Sequence, residues 1–220
     1  MIQGILFDLD DTLYAYAPAH EQATAALTKA AVTDLSISRE TWEHAYSFAK
    51  AQVKARIPTQ GASHNRLLYI QNALELLQVK PVPISLRLYE RYWRTFLSNM
   101  HLHPNVRSCL DFCARNGIKM GICSDLTAYI QHRKLEKLGL CVYFDAIVTS
   151  EEAGAEKPDE RMFFYSLEKL RTPKNHTLFV GDSLEKDIDG GTAFGLKSIL
   201  AKDFFENYEC YIRESYCDKR

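Results

Sequence analysis

Ile2-Gln3-Gly4-Ile5-Leu6-Phe7-Asp8-Leu9-Asp10-Asp11-Thr12 runs from an apolar stretch straight into an acidic cluster. A short apolar run that stops at charge is the pattern of a buried parallel strand whose carboxyl end carries polar residues. Three later segments repeat the form. Ile118 to Cys123 ends at Ser124-Asp125, Phe144 to Val148 ends at Thr149-Ser150, and Thr177 to Val180 ends at Gly181-Asp182. A fifth run, Lys197 to Ala201, is shorter.

Helical stretches separate these runs, roughly Asn105 to Asn116, Leu126 to Leu138, Glu160 to Leu170 and Asp187 to Phe194. Gly117, Gly139 and Gly195 follow three of them, at the place where a left-handed helix cap favours glycine. Strands alternating with helices of this length predict an α/β fold, a Rossmann-like, doubly wound parallel sheet.

From about Pro18 to Asn99 the chain has helical periodicity and no strand signal. Leu67, Ile70, Leu74 and Leu77 make one apolar stripe; Leu86, Tyr89, Trp93, Phe96 and Leu97 make another. Pro58 to Ser63 and Lys80 to Pro83 read as breaks. The expected organisation is a catalytic core from residues 1–17 and 100–220, with a helical cap of four helices at 18–99. The last fifteen or so residues, rich in tyrosine and charge, carry no clear signal.

At 220 residues the chain is long enough for a sizeable core, and 46% hydrophobic against 25% charged residues is an ordinary globular balance. Lys and Arg total 27, Asp and Glu 28. No whole-chain field therefore draws in a nucleic-acid polymer or an anionic membrane. The basic clusters Arg87 to Arg94 and Arg133 to Lys137 are interleaved with apolar positions and read as solvated helix faces. Six cysteines form no CxxC pair and no zinc spacing, so reduced, partly buried thiols are expected. His101 and His103 read as a solvated pair beside Pro104 rather than as metal ligands. The N-terminus has no basic leader, and no apolar run approaches membrane-spanning length. The expected setting is the cytoplasm, and the expected assembly a monomer or homodimer.

Ligands of open α/β sheets bind outside the carboxyl ends of the strands. The strand-ending polar residues are Asp8 and Asp10, Ser124, and Asp182, joined by Lys157 in a loop entering a helix. Carboxylates converging there repel one another, and a divalent cation resolves the conflict. Mg²⁺ prefers oxygen ligands, takes one or two carboxylates and keeps exchangeable waters. Asp8 and Asp182 are the expected side-chain ligands, with the backbone carbonyl of Asp10. Asp8 is then placed as a nucleophile toward phosphorus, with Lys157, the Ser124 hydroxyl and the Asp125 backbone N–H on the phosphoryl oxygens. Asp10 is spaced to protonate the leaving group and then to withdraw a proton from water, an effect of roughly 10²- to 10⁴-fold. Each element alone has a plainer reading: DxDxT and Asp187 as turn or cap residues, Ser124 as a cap, Lys157 as a surface lysine. Their joint occurrence in this order argues otherwise.

The chain resembles the haloacid dehalogenase-like hydrolase superfamily over nearly its whole length. Asp8 to Leu13, including Thr12, match the first motif, Ser124 the second, Lys157 the third, and Gly181-Asp182 through Asp187 the fourth. The resemblance implies that Asp8 is the nucleophile, Asp10 the acid/base and Asp182 a Mg²⁺ ligand, with Asp187 supporting the metal's waters or the lysine. The insertion resembles the cap of the subgroup that includes phosphoglycolate phosphatases and nucleotidases. Tyr14, Tyr16, His20, Trp42, Tyr46, His64 and Arg66 are the residues considered for facing its pocket. Asp10 argues against carbon–halogen and phosphonate chemistry, which dispense with that aspartate. The expected function is a Mg²⁺-dependent phosphatase acting on a small phosphorylated metabolite through an aspartyl phosphate. Nucleoside monophosphates, phosphoglycolate-like esters, sugar phosphates and cofactors remain open as substrates. A phosphomutase, or a non-catalytic binding module, is the alternative.

Overall fold

The computed structural model describes residues 2–213. β1 (Gly4–Phe7) opens the chain and is followed by α1 (Tyr16–Leu35), α2 (Arg39–Arg56), α3 (Arg66–Leu76) and α4 (Val82–Ser98). Then come α5 (Val106–Arg115), β2 (Lys119–Ser124), α6 (Ala128–Lys137), β3 (Ala146–Thr149), α7 (Ser150–Ala153) and α8 (Glu160–Leu170). β4 (Thr177–Gly181), a π-helical turn (Leu184–Asp189), α9 (Gly190–Phe194), β5 (Lys197–Leu200) and α10 (Ala201–Arg213) complete the described chain. The chain divides into two compact units, one of Met1–Ala15 and His101–Arg220, the other of Tyr16–Met100.

The first unit holds a five-stranded sheet in the order β3-β2-β1-β4-β5, with every pair parallel. β1 lies at the centre because all four of its residues are buried and can pack on both faces. Leu6 is registered against Gly121 on one side and Phe179 on the other. Leu6, Cys123, Val148, Met162, Phe163 and Phe179 form a core cluster on one face of the sheet, each fully buried. Burying a side chain of the Leu or Phe class contributes about 1.5–3 kcal/mol. The chain steps outward from β1 to β2 and β3, then returns to β4 on the other side of β1. The reversal puts a crevice at the carboxyl ends of β1 and β4, where Asp8 and Asp182 emerge.

Gly117, Gly139 and Gly195 have φ of 68°, 67° and 94°, as helix-ending glycines should. α10 accounts for part of the C-terminal stretch that gave no signal in the sequence. Its helical phase breaks at Asn207, whose φ of −136° is not helical. The rest of that stretch, with Cys217, lies outside the described residues.

Within the second unit, α1 packs on α4 and α2 on α3. The α3 face buries Arg66, Tyr69, Ile70, Ala73 and Leu74. The buried α4 face is Ser85, Leu88, Tyr92, Trp93 and Phe96, rotated from the stripe expected, so that Leu86 is 62% exposed. Pro83 sits in the first turn of α4 rather than before it, where its missing N–H costs nothing. Among the described residues, no helix is long and apolar enough to cross a membrane.

Candidate active site

The acidic cluster grows out of β1. Backbone pairing carries β1 one residue further, with Asp8 N donating to Val180 O at 2.9 Å, and so presents the Asp8 carboxylate at the crevice, 4% exposed. Its two oxygens have different partners. Lys157 Nζ reaches Oδ1 at 2.6 Å, and the Thr12 hydroxyl lies 3.2 Å from Oδ2. The same hydroxyl lies 3.2 Å from Asp182 Oδ1. One proton serves one acceptor at a time, so Thr12 ties whichever of the two carboxylates is the better acceptor.

Lys157 is buried and also pairs with Asp187 Oδ1 at 2.6 Å. Two of its three N–H groups are thus committed to carboxylates, leaving one for a further acceptor. Burial works against its charge, but Asp8 and Asp187 outweigh burial and hold the ammonium well above its ordinary value. Asp187 lies inside the π-helical turn, whose N-cap is Ser183, so it is not the helix cap that its position in the sequence suggested. Its Oδ2 accepts from Ser183 N at 3.0 Å, fixing the π-helical turn, while Oδ1 takes Lys157. Gly181 makes this approach possible, since a Cβ there would sit 2.3–2.5 Å from the Asp187 side chain.

Ligand oxygens of Asp8, Asp182 and Asp187 all lie within 4.8 Å of one another. Three carboxylates against one ammonium leave a net negative charge of about two, all on hard oxygen donors, which fits a divalent cation. The strain of this arrangement is visible at Asp8. Burial first, opposed by Lys157 and reinforced by Asp187 and Asp10, pushes its carboxyl up to about 7. Asp182 is also raised, by burial and then by Asp187.

Asp10 stands apart from that cluster. Both its oxygens are held by Lys134 Nζ, at 2.6 and 2.8 Å, and the Tyr14 hydroxyl donates to it as well. Lys134 is fully buried. The basic stretch Arg133 to Lys137 is therefore not simply a solvated face, as its sequence suggested. Lys134 falls with Ile130, Gln131 and Leu135 on the buried side of α6, a spacing that could have flagged it. By contrast, Arg87, Arg91 and Arg94 are exposed as expected.

Ser124 ends β2, buried, with its hydroxyl 2.8 Å from Gln131 Nε2. The Asp125 carboxylate accepts from the Lys157 backbone N–H at 3.0 Å and pairs with Lys186 at 2.8 Å. Asp125 thus ties the loop that carries Lys157 to the loop after β2. Neither Gln131 nor Lys186 was expected at the site from its sequence position. His103 contacts the Asp11 carbonyl at 3.2 Å, and the described cysteines are free thiols. Of the residues considered for the cap, Trp42 is core packing at 1% exposure.

A five-stranded parallel sheet with acidic residues and a lysine at its carboxyl edge is the frame on which the family comparison bears. The chain belongs to the haloacid dehalogenase-like hydrolase family, whose profile matches residues 2–195. It is 39% identical over 202 residues to a ribulose-1,5-bisphosphate 5-phosphatase of Halopiger xanaduensis, covering 91% of this chain and 84% of that one. It is 29% identical over 203 residues to a glyceraldehyde 3-phosphate phosphatase of Methanothermobacter thermautotrophicus, covering 91% and 85%. Among solved structures, a phosphatase of the same family from Thermococcus onnurineus matches with a TM-score of 0.69 at 23% identity, over 90% of this chain and 86% of that one. The enzyme class is that of phosphoric monoester hydrolases acting on small phosphorylated compounds.

Proposed function

We propose that the protein is a Mg²⁺-dependent phosphatase that hydrolyses a small sugar phosphate, of the ribulose-1,5-bisphosphate kind, through an aspartyl phosphate on Asp8. The observation that carries this reading is the Asp8 carboxylate itself: buried, paired to Lys157 at 2.6 Å, and gathered with Asp182 and Asp187. The 39% identity to a ribulose-1,5-bisphosphate 5-phosphatase supports the substrate class.

Asp8, Asp182 and the Asp10 carbonyl would hold Mg²⁺, with Asp187 behind them. Bound there, the cation supplies positive charge against the repulsion between the carboxylate and the phosphate dianion. A carboxylate oxygen of Asp8 attacks phosphorus while Lys157, Ser124 and the Asp125 N–H hold the phosphoryl oxygens. The P–O bond to the sugar breaks and the leaving oxygen takes a proton from Asp10. Water then attacks the aspartyl phosphate, giving a proton back to Asp10, and inorganic phosphate leaves. The clamp of Lys134 and Tyr14 holds Asp10 as an anion, the form needed for the second half of the cycle. For the first half, one Asp10 oxygen must leave the clamp and carry a proton.

Purified protein with Mg²⁺ should release phosphate from sugar phosphates and aryl phosphates. Excess chelator should stop turnover, as should Asp8→Asn. Wild type and Asp8→Asn equally inert over a broad panel of phosphate esters, or activity persisting in chelator, would overturn the proposal.

A further inference from the structure

The helical unit contains a buried cation that pairs with no carboxylate among the described residues. Arg66 is the first residue of α3, whose N-terminus is capped by Asn65 accepting from Leu67 N at 2.9 Å. It is 8% exposed. Its guanidinium donates to the His64 carbonyl at 2.6 Å and to the Tyr16 hydroxyl. The rings of Tyr69, Tyr92 and Trp93 lie with their centroids 5.9, 5.6 and 5.7 Å from it. These contacts fix its position but do not neutralise it. No carboxylate among the described residues pairs with Arg66; elsewhere in this unit Arg39 pairs with Glu43 and Arg87 with Asp34.

A guanidinium has five N–H donors in a planar fork, and Arg66 spends two. A buried cation is normally paired, because leaving it alone forfeits its hydration without return. The neighbourhood adds positive charge. Lys50 and Arg66 both act on His20, whose Nδ1 lies 2.7 Å from the Tyr92 hydroxyl and whose ring stacks on Tyr16. Burial, then Arg66, then Lys50 push the His20 imidazole down to about 4, so it stays neutral. Aromatic walls, a fork of unspent donors and a cationic field together describe an oxyanion receptor.

We infer that Arg66, with Tyr16 and His20 around it, is a binding site of the helical unit for a phosphate-class oxyanion. The anion has two sources: a second anionic group on the substrate of the proposed reaction, or a free effector. Only the first source rests on the phosphatase reading.

His20 reports the site without catalysis. With the full-length protein in chelator, inorganic phosphate should move the His20 titration midpoint upward in NMR spectra, because an anion beside Arg66 offsets the field that keeps the imidazole neutral. In Arg66→Met, phosphate should move it no further. Kinetics then identify the source. If the anion is part of the substrate, Arg66→Met raises KM for a sugar bisphosphate about 10- to 100-fold, leaves KM for the matching monophosphate within about threefold, and Arg66→Lys recovers part of the loss. If it is an effector, inorganic phosphate alters monophosphate turnover in wild type beyond the product inhibition that Arg66→Met retains. An unmoved His20 in wild type, or equal loss on bisphosphate and monophosphate without any phosphate response, reduces Arg66 to packing and overturns the inference. The His20 measurement on wild type stands even if Arg66→Met fails to fold. A wild type that responds at His20 but hydrolyses nothing sinks the phosphatase reading and leaves this site intact.

Discussion

Asp8→Asn removes a carboxylate whose ionised form the folded chain tolerates poorly without a cation. Burial pushes that carboxyl from 3.8 up to about 7, so the native state binds more protons than the unfolded chain between those values. With the folded value above the unfolded one, the stabilising contribution is complete below pH 3.8 and is lost as pH rises through 7. Over that interval the ionisation penalty grows to about 4 kcal/mol at 1.36 kcal/mol per pH unit. Rearrangement of Lys157 and Asp187 and penetration of water reduce it to about 2–4 kcal/mol. Asparagine carries no charge, keeps an oxygen for Thr12 and leaves Lys157 neutralised by Asp187 at 2.6 Å. In chelator, Asp8→Asn should therefore match wild type only below about pH 4, pull ahead from there, and exceed it by about 2–4 kcal/mol at pH 8, roughly 5–15 °C in melting temperature for a chain of this size. Magnesium should close or invert the gap by stabilising wild type more than the variant. Calorimetry is the suitable assay, because both tryptophans, Trp42 and Trp93, lie in the helical unit and would report on the wrong half of the chain. A variant less stable than wild type at pH 8 in chelator, or a gap that does not widen with pH, would refute the account of Asp8 as a strained, cation-dependent carboxylate.

Two further outcomes follow from the same geometry. Asp10→Asn should retain metal-dependent stabilisation but slow turnover by about 10²- to 10⁴-fold on alkyl phosphates and far less on nitrophenyl phosphate, whose leaving group needs no proton; equal loss across leaving groups would argue against proton donation. Gly181→Ala places a methyl group 2.3–2.5 Å from the Asp187 side chain and should expel it from Lys157 at a cost of about 1–3 kcal/mol, weakening the response of melting temperature to Mg²⁺. An unchanged response would show that Asp187 does not shape the cation site.

The sheet was legible because each strand announces itself twice, by an apolar run and by the polar residue that ends it. Asp8, Ser124 and Asp182 stand at the carboxyl ends of β1, β2 and β4 for that reason. Side-chain partners across the sequence were less legible. Nothing local tells that Lys134 reaches 124 residues back to Asp10, or that Asp125 fastens the loop of Lys157. Arg66 was among the residues considered for the pocket, and its burial follows from the spacing that it shares with Tyr69, Ile70 and Ala73. The phase error in α4 has another source: Tyr92 and Trp93 are adjacent, both buried, and pull the stripe one residue from the position that Leu86 suggests.

The chain leaves the sheet unit after Ala15 and rejoins it at His101, and the two crossing points are hydrogen-bonded neighbours, Ala15 N to His101 O at 3.4 Å, beside a bridge between Tyr14 and Leu102. A segment whose ends are pinned side by side behaves, for the rest of the fold, as a single long loop, and loop length costs little once the ends are closed. The 85 residues of Tyr16–Met100 can be replaced by others without reregistering a single strand. Selection can therefore revise the inserted helices while the carboxylates at the sheet's edge stay where they are, a division of labour written into the connectivity rather than into any one residue.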